Sequence, residues 1–239
     1  MSTSKRKTTH SAEPGAPVAQ RETAYESFTQ QIMSAQLLPG QFVSQRELTR
    51  RLGLSLGAVR EMIPRLEAAR LIRTVPQRGL QIAHVDLKLI RNAFQVRAMI
   101  EREAVLNFLH HASDEDLAQI EKEHMEILER AASTQPDATL DDDAQAVDWG
   151  LHDRMVDSIG NEILSEIYRI NSLHVRLIRL DAKLVRPFRV LPAMQEHLRF
   201  IQALKRRDEA AAAGAMMEHI ENSRQRVLNA MLDSNQGMR

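Results

Sequence analysis

The chain has 239 residues, 43% hydrophobic and 27% charged, with no run near the roughly 18 apolar residues of a membrane span, so it reads as two modest globular domains with no membrane role. Its lack of cysteine excludes disulfide frameworks and thiolate zinc sites and suits the reducing cytoplasm in which we expect it. The net charge of zero conceals 12 basic against 6 acidic residues in Met1 to Val85, and 20 against 26 in the remainder, the asymmetry of a chain whose first third meets a polyanion.

Residues 1–21 are polar, carry Lys5, Arg6, Lys7, Pro14 and Pro17, and read as a disordered tail without the apolar core of a secretory signal. A first domain is expected over residues 22–85. Ala24, Phe28, Ile32 and Ala35 recur at helical spacing and predict a helix from Glu22 to Leu37, ended by Pro39-Gly40. Ser44-Gln45-Arg46-Glu47 has the form of a capping box, in which hydroxyl and carboxylate satisfy each other's free backbone N–H groups, and predicts a short helix to Leu52. Gly53 suits a left-handed helix end, and Ser55 can cap a further helix from Leu56 that turns Ala58, Val59, Met62, Ile63, Leu66 and Ala69 inward. Two helices so closely joined make a helix-turn-helix. Pro64 costs the second of them its hydrogen bond to the Arg60 carbonyl, and because the period continues to Ala69 we expect a kink there rather than an end. Leu71 to Val75 and Leu80 to Ala83 then read as two strands of a wing, joined by Pro76-Gln77-Arg78-Gly79 with its basic tip. Such a helix presents its N-terminal turns to base edges in a major groove while the tip meets the neighbouring backbone. That makes Arg46, Ser55, Arg60 and Arg78 the candidate DNA contacts, although each arginine taken alone reads as a solvated surface charge.

From Asp86 onward, amphipathic stretches over 86–111, 113–132, 144–159, 162–182, 192–206 and 209–232 predict an all-α bundle filling residues 86–232, with 233–239 as a tail. The fold class is thus mainly α. The breaks are a polar acidic loop at 133–143, a turn at Gly160-Asn161 and an irregular connection bracketed by Pro187 and Pro192. Asp148 and His152 stand four apart, so on a helix they share a face from which both can reach one metal ion; by itself such a pair reads more readily as a hydrogen-bonded surface pair. His197 and His219 lie on two later helices beside Met194, Ile201, Met216 and Ile220, where single histidines are more often satisfied core residues than ligands.

The order Pro39-Gly40, Arg46-Glu47-Leu48, Leu52-Gly53, Val59-Arg60-Glu61, Leu66-Glu67 and Arg78-Gly79 resembles the winged-helix region of the GntR family of transcriptional regulators. The segment from Asp86 to Leu232 resembles the FCD effector domain of its FadR subfamily, and a bundle of six or seven helices suits the VanR-like group. The resemblance implies a homodimeric regulator, by default a repressor, that holds palindromic double-stranded operator DNA and leaves it when a small acidic metabolite binds the second domain. It also implies a metal site made by Asp148 and His152 within Asp148-Trp149-Gly150-Leu151-His152, by His197 after Glu196 and by His219 after Glu218. One oxygen and three nitrogens suit a divalent ion, zinc first, with nickel or manganese also compatible. Arg97 is implied as the residue that takes an effector's carboxylate, while its spacing from Glu101 equally permits an ion pair within one helix. Whether the effector touches the metal or binds beside a structural one stays open. The family commonly has arginine where this chain has Leu56, which puts the operator sequence in question more than DNA binding itself. Two rival functions are a hydrolase-like metalloenzyme using the same donors, for which no general base is evident, and an architectural DNA binder with a structural metal.

Overall fold

The computed structural model describes residues 16–135, 137–181 and 190–236. Between His84 and Val85 the chain divides into two compact units. The first holds α1 (Ala16–Met33), β1 (Phe42–Val43), α2 (Gln45–Leu52), α3 (Leu56–Ala68), β2 (Ile72–Val75) and β3 (Gly79–Ile82).

The helix-turn-helix forms for the local reasons expected. Ser44 Oγ accepts the Glu47 N–H at 3.1 Å to start α2, Gly53 ends that helix at φ 66°, and Ser55 Oγ accepts the Ala58 N–H at 3.2 Å to start α3. Only half of the capping box forms, because the Glu47 carboxylate turns to Arg51, one helical turn on. Ala58, Val59, Met62, Ile63 and Leu66 of α3 are buried against α1, whose Ala24, Phe28 and Ile32 are fully enclosed. α3 runs as one helix past Pro64, which sits on its exposed side.

Three features of this unit differ from expectation. α1 starts at Ala16, so Pro17 falls in its first turn, where backbone N–H groups have no helical acceptor and proline is tolerated; the rest of the expected tail, residues 1–15, lies outside the described residues. α1 also stops at Met33, short of Ala35, and Leu37 folds back into the core. The wing gains a third strand: β1 pairs with β3, Val43 opposite Leu80, and β3 pairs with β2 from Ile72–Ile82 to Val75–Gly79, all antiparallel in the order β1-β3-β2. Two residues between a glycine turn and a helix cap are too few to display a period.

Gly79 lets β1 approach. Its φ is +92°, and a Cβ there would stand 2.9 Å from the Val43 carbonyl oxygen. Gly79→Ala is therefore expected to lower the unfolding free energy by about 2 kcal/mol, read as a lower urea midpoint at unchanged slope.

The second unit contains, among the described residues, six helices: α4 (Leu87–His111), α5 (Asp114–Ala132), α6 (Leu140–Asp157), α7 (Glu162–Leu180), α8 (Val190–Lys205) and α9 (Glu209–Gln236). α6 and α8 begin earlier than the hydrophobic period indicated and α9 ends later. The first turn of α6 holds Asp141, Asp142 and Asp143, which match the positive end of a helix dipole, and that of α8 absorbs Pro192, so residues typical of loops serve as helix starts. Pro187 lies outside the described residues. Ser113 and Asp116 make the complete capping box that opens α5.

α4 packs against α6, α7 and α9, while α8 lies between α5 and α9. Ile90, Phe94, Val105, Met155, Phe200, Ile201 and Met216 are among the apolar residues enclosed between them. The helices also carry Arg97, Glu101, His124, Asp148, His152, His197 and His219 inward, each at most 1% exposed. Burying so many polar groups is costly unless they satisfy one another or a bound ion, which makes this interior the place to look for function. No helix among the described residues is long and apolar enough to cross a membrane.

Candidate metal centre

α6 presents Asp148 and His152 one turn apart, α8 presents His197, and α9 presents His219. One potential ligand atom from each lies within 4.8 Å of every other. His197 Nε2 is 3.3 Å from His219 Nε2 and 3.3 Å from Asp148 Oδ1, close to the spacing of neighbouring ligands around an ion at roughly 2.1 Å.

The outer ring nitrogens decide which tautomers face inward. His219 Nδ1 lies 2.9 Å from Glu196 Oε2, which can only accept, so Nδ1 carries the proton and Nε2 a lone pair. His124 Nδ1 donates to the Ile120 carbonyl at 2.7 Å, which leaves His124 Nε2 to accept from His197 Nδ1 at 3.0 Å and again turns a lone pair on Nε2 inward. His152 Nδ1 is 2.9 Å from Glu101 Oε2, and His152 Nε2 accepts from Arg97 Nη2 at 2.8 Å. Three unprotonated nitrogens therefore converge beside Asp148 Oδ1, itself buried without a hydrogen-bond partner. Burial, followed by the neighbouring imidazoles His219 and His152, holds the pKa of His197 well below that of a free histidine; burial lowers His219 to about 4 although Glu196 works the other way. Neutral imidazole is the form that binds metals.

The surrounding charges are arranged in pairs. Arg97 Nε donates to Glu101 Oε1 at 2.7 Å, and the Tyr168 hydroxyl donates to the same oxygen at 2.7 Å. Burial opposes both charges, but each overcomes it through the other, so Arg97 is held above the usual arginine value and Glu101 below the usual carboxylate range. Arg179 Nη1 donates to Asp148 Oδ2 at 3.1 Å, and despite burial the nearby cationic groups, Arg179 foremost, keep Asp148 ionised. Arg226 donates to both oxygens of Glu196, at 2.8 and 3.0 Å.

Family comparison decides what this bundle is. The FCD domain model matches residues 92–222, and the model for bacterial regulatory proteins of the gntR family matches residues 20–82. The chain belongs to the GntR family and carries an FCD domain. It is 22% identical, over 199 residues, to the uncharacterized HTH-type transcriptional regulator YdhC of Bacillus subtilis (strain 168), covering 83% of this chain and 86% of that protein. Its fold is similar to that of E. coli McbR/YncC, with a TM-score of 0.70, 18% identity and coverage of 88% of this chain and 97% of the other. It also matches the metal-free FCD domain of TM0439, with a TM-score of 0.52 and 23% identity over 63% of this chain and 99% of that one. Membership makes it a DNA-binding transcriptional regulator, not an enzyme.

The four residues expected at the metal are thus together in the FCD domain, and Arg97 adjoins them with the Glu101 ion pair that its spacing permitted. In the winged helix, Arg46, Ser55, Arg60 and Arg78 are all exposed. Ser55 is engaged in capping, Arg60 Nε donates to Gln45 Oε1 at 3.2 Å, and the Arg78 guanidinium lies 3.7 Å over the Phe42 ring. Leu56, 37% exposed, opens α3 without any side-chain polar group. Sequence reasoning missed His124, Tyr168, Arg176 and Arg179. His124 sits in Glu121-Lys122-Glu123-His124, which reads as a solvated face, and only the packing of α5 on α8 reveals its role.

His124→Phe keeps the ring volume but removes the acceptor that sets the His197 tautomer. It is expected to weaken divalent-metal affinity about 10- to 100-fold, measured by competition with a chelating dye, while His124→Gln, which can still accept, recovers part of the loss.

Proposed function

We propose that this regulator is a homodimeric, metal-containing repressor that leaves its operator when a small carboxylic acid binds the FCD domain. The observation that carries the reading is the convergence, in a buried core, of a partnerless carboxylate oxygen with the lone pairs of His197 and His219, which repel one another until a cation enters, beside a His152 lone pair held only by Arg97. Asp148, His152, His197 and His219 would hold the ion, zinc by preference, with nickel or manganese also suited to the donor set. A bound divalent ion supplies concentrated positive charge and open positions for an acid's oxygen.

Arg97 links ion and acid. His152 Nε2 has a single in-plane lone pair, now used by Arg97 Nη2 at 2.8 Å, and it cannot serve a metal at the same time. Were His152 Nε2 given to an ion, Arg97 Nη2 would be released and, with the already partnerless Nη1, would make a two-pronged donor matched to a carboxylate. Residues 22–85 act as the DNA-binding domain, with Arg46, Ser55, Arg60 and Arg78 at the interface, and residues 86–232 as the sensing domain. Two winged helices reading half-sites about one DNA turn apart require a dimer, and acid binding that moves them out of register releases the DNA. By linkage the acid binds the DNA-held dimer more weakly by the same factor. Such a protein works in the cytoplasm.

Elemental analysis of chain purified without chelator should find a divalent metal that His197→Ala lacks. A metal-free wild type would remove the ligand assignment. Binding to its own promoter DNA should weaken steeply with salt, with a log–log slope of about −0.9 per phosphate contact. Arg78→Ala should reduce that slope by about one, and Arg60→Ala should cost about 1–3 kcal/mol on the preferred site and relax the sequence preference. Promoter binding that ignores salt, or metal-loaded protein that no acid releases, would sink the repressor reading, the latter in favour of an architectural role.

A further inference from the structure

Arg176, on α7, is partly buried and lies with its guanidinium carbon 4.5 Å from the centre of the Trp149 ring. Its Nε is enclosed without a hydrogen-bond partner, and among the described residues it makes no ion pair. Arginine cannot escape such a position by losing its proton, so the enclosed Nε carries a cost unless an acceptor reaches it. Asp153 is the acidic neighbour whose field it feels most, yet the two form no ion pair. The other carboxylates of the site are committed: Glu101 to Arg97, Asp148 to Arg179, Glu196 to Arg226.

Trp149 follows the ligand candidate Asp148 directly, is 7% exposed, and has the guanidinium carbons of Arg97 at 5.9 Å and Arg179 at 4.8 Å from the same ring centre. Two guanidinium groups that each hold an enclosed nitrogen without a hydrogen-bond partner, Arg97 and Arg176, therefore approach the same indole. The charge balance points the same way. A divalent ion adds two positive charges to a shell whose carboxylates are already answered by arginines, and a ligand bearing two negative charges restores neutrality.

We propose that Arg176 and Trp149 form a second anion subsite, and that the effector is a small dicarboxylate with one carboxylate at Arg97 and the metal centre and the other on Arg176. This rests on the effector reading above and adds to it the class of acid. Trp149 is the chain's one tryptophan, so its emission reports the subsite directly.

The test is calorimetric and fluorescence titration of full-length, zinc-loaded protein with malonate, succinate and glutarate, and with butyrate as the single-carboxylate control. The best diacid is expected to bind about 10- to 100-fold more tightly than butyrate, the effect of one charge-assisted pairing, and to perturb Trp149 emission more. Arg176→Gln should bring the diacid down to butyrate's affinity and leave butyrate unchanged, whereas Arg176→Lys retains part of the preference. Butyrate binding wild type as tightly as every diacid, or Arg176→Gln weakening both acids alike, overturns the second subsite and leaves the carboxylate reading intact. If no acid binds wild type, both fall. The wild-type comparison alone decides the matter even where a variant fails to fold.

Discussion

Everything in the FCD domain turns on four electron-rich atoms forced together where water cannot screen them. Two imidazole nitrogens that both carry lone pairs, 3.3 Å apart, repel one another, and the Asp148 oxygen beside them adds to the repulsion. The bundle tolerates this because the outer nitrogens of His219 and His197 are anchored, to Glu196 and, through His124, to the backbone of α5. Those anchors hold the rings in the orientation a cation needs before it arrives, which is the arrangement that reduces the cost of reorganising ligands. Hydrophobic packing around Phe200, Met155 and Met216 supplies the stability that such a strained centre consumes.

α4 has a double duty within the domain. It contributes Ile90, Phe94 and Val105 to the core, and on the same face it carries Arg97 and Glu101. Because the pair is one turn apart on a single helix, its geometry is set locally and survives small shifts of the neighbouring helices. Asp148 and His152 follow the same rule on α6, whereas His197 and His219 depend on α8 and α9 being correctly placed. The site is thus half local and half tertiary.

That division explains what could be read beforehand. The helices with long apolar periods, and the caps at Ser44, Gly53 and Ser55, were legible because each rests on neighbouring residues alone. β1 was not, since its pairing partner lies across the wing, nor were the early starts of α6 and α8, whose first turns hold aspartates and a proline that also suit loops. Asp148 and His152 showed a spacing but no certainty, and the two later histidines became ligand candidates only through the family they resemble. Arg176 and Arg179 gave no signal, because an arginine near the end of a helix ordinarily faces water and only the position of Trp149 shows that these two turn partly inward.

The absence of sulfur from the donor set has a consequence of its own. Centres built on thiolates lose their ligands when peroxide converts them to sulfenic acid or disulfide, and they release their ion as a redox signal. One carboxylate and three imidazoles undergo no such conversion. An ion held by these four side chains would therefore not be set free by thiol oxidation, the chemistry that opens a cysteine centre.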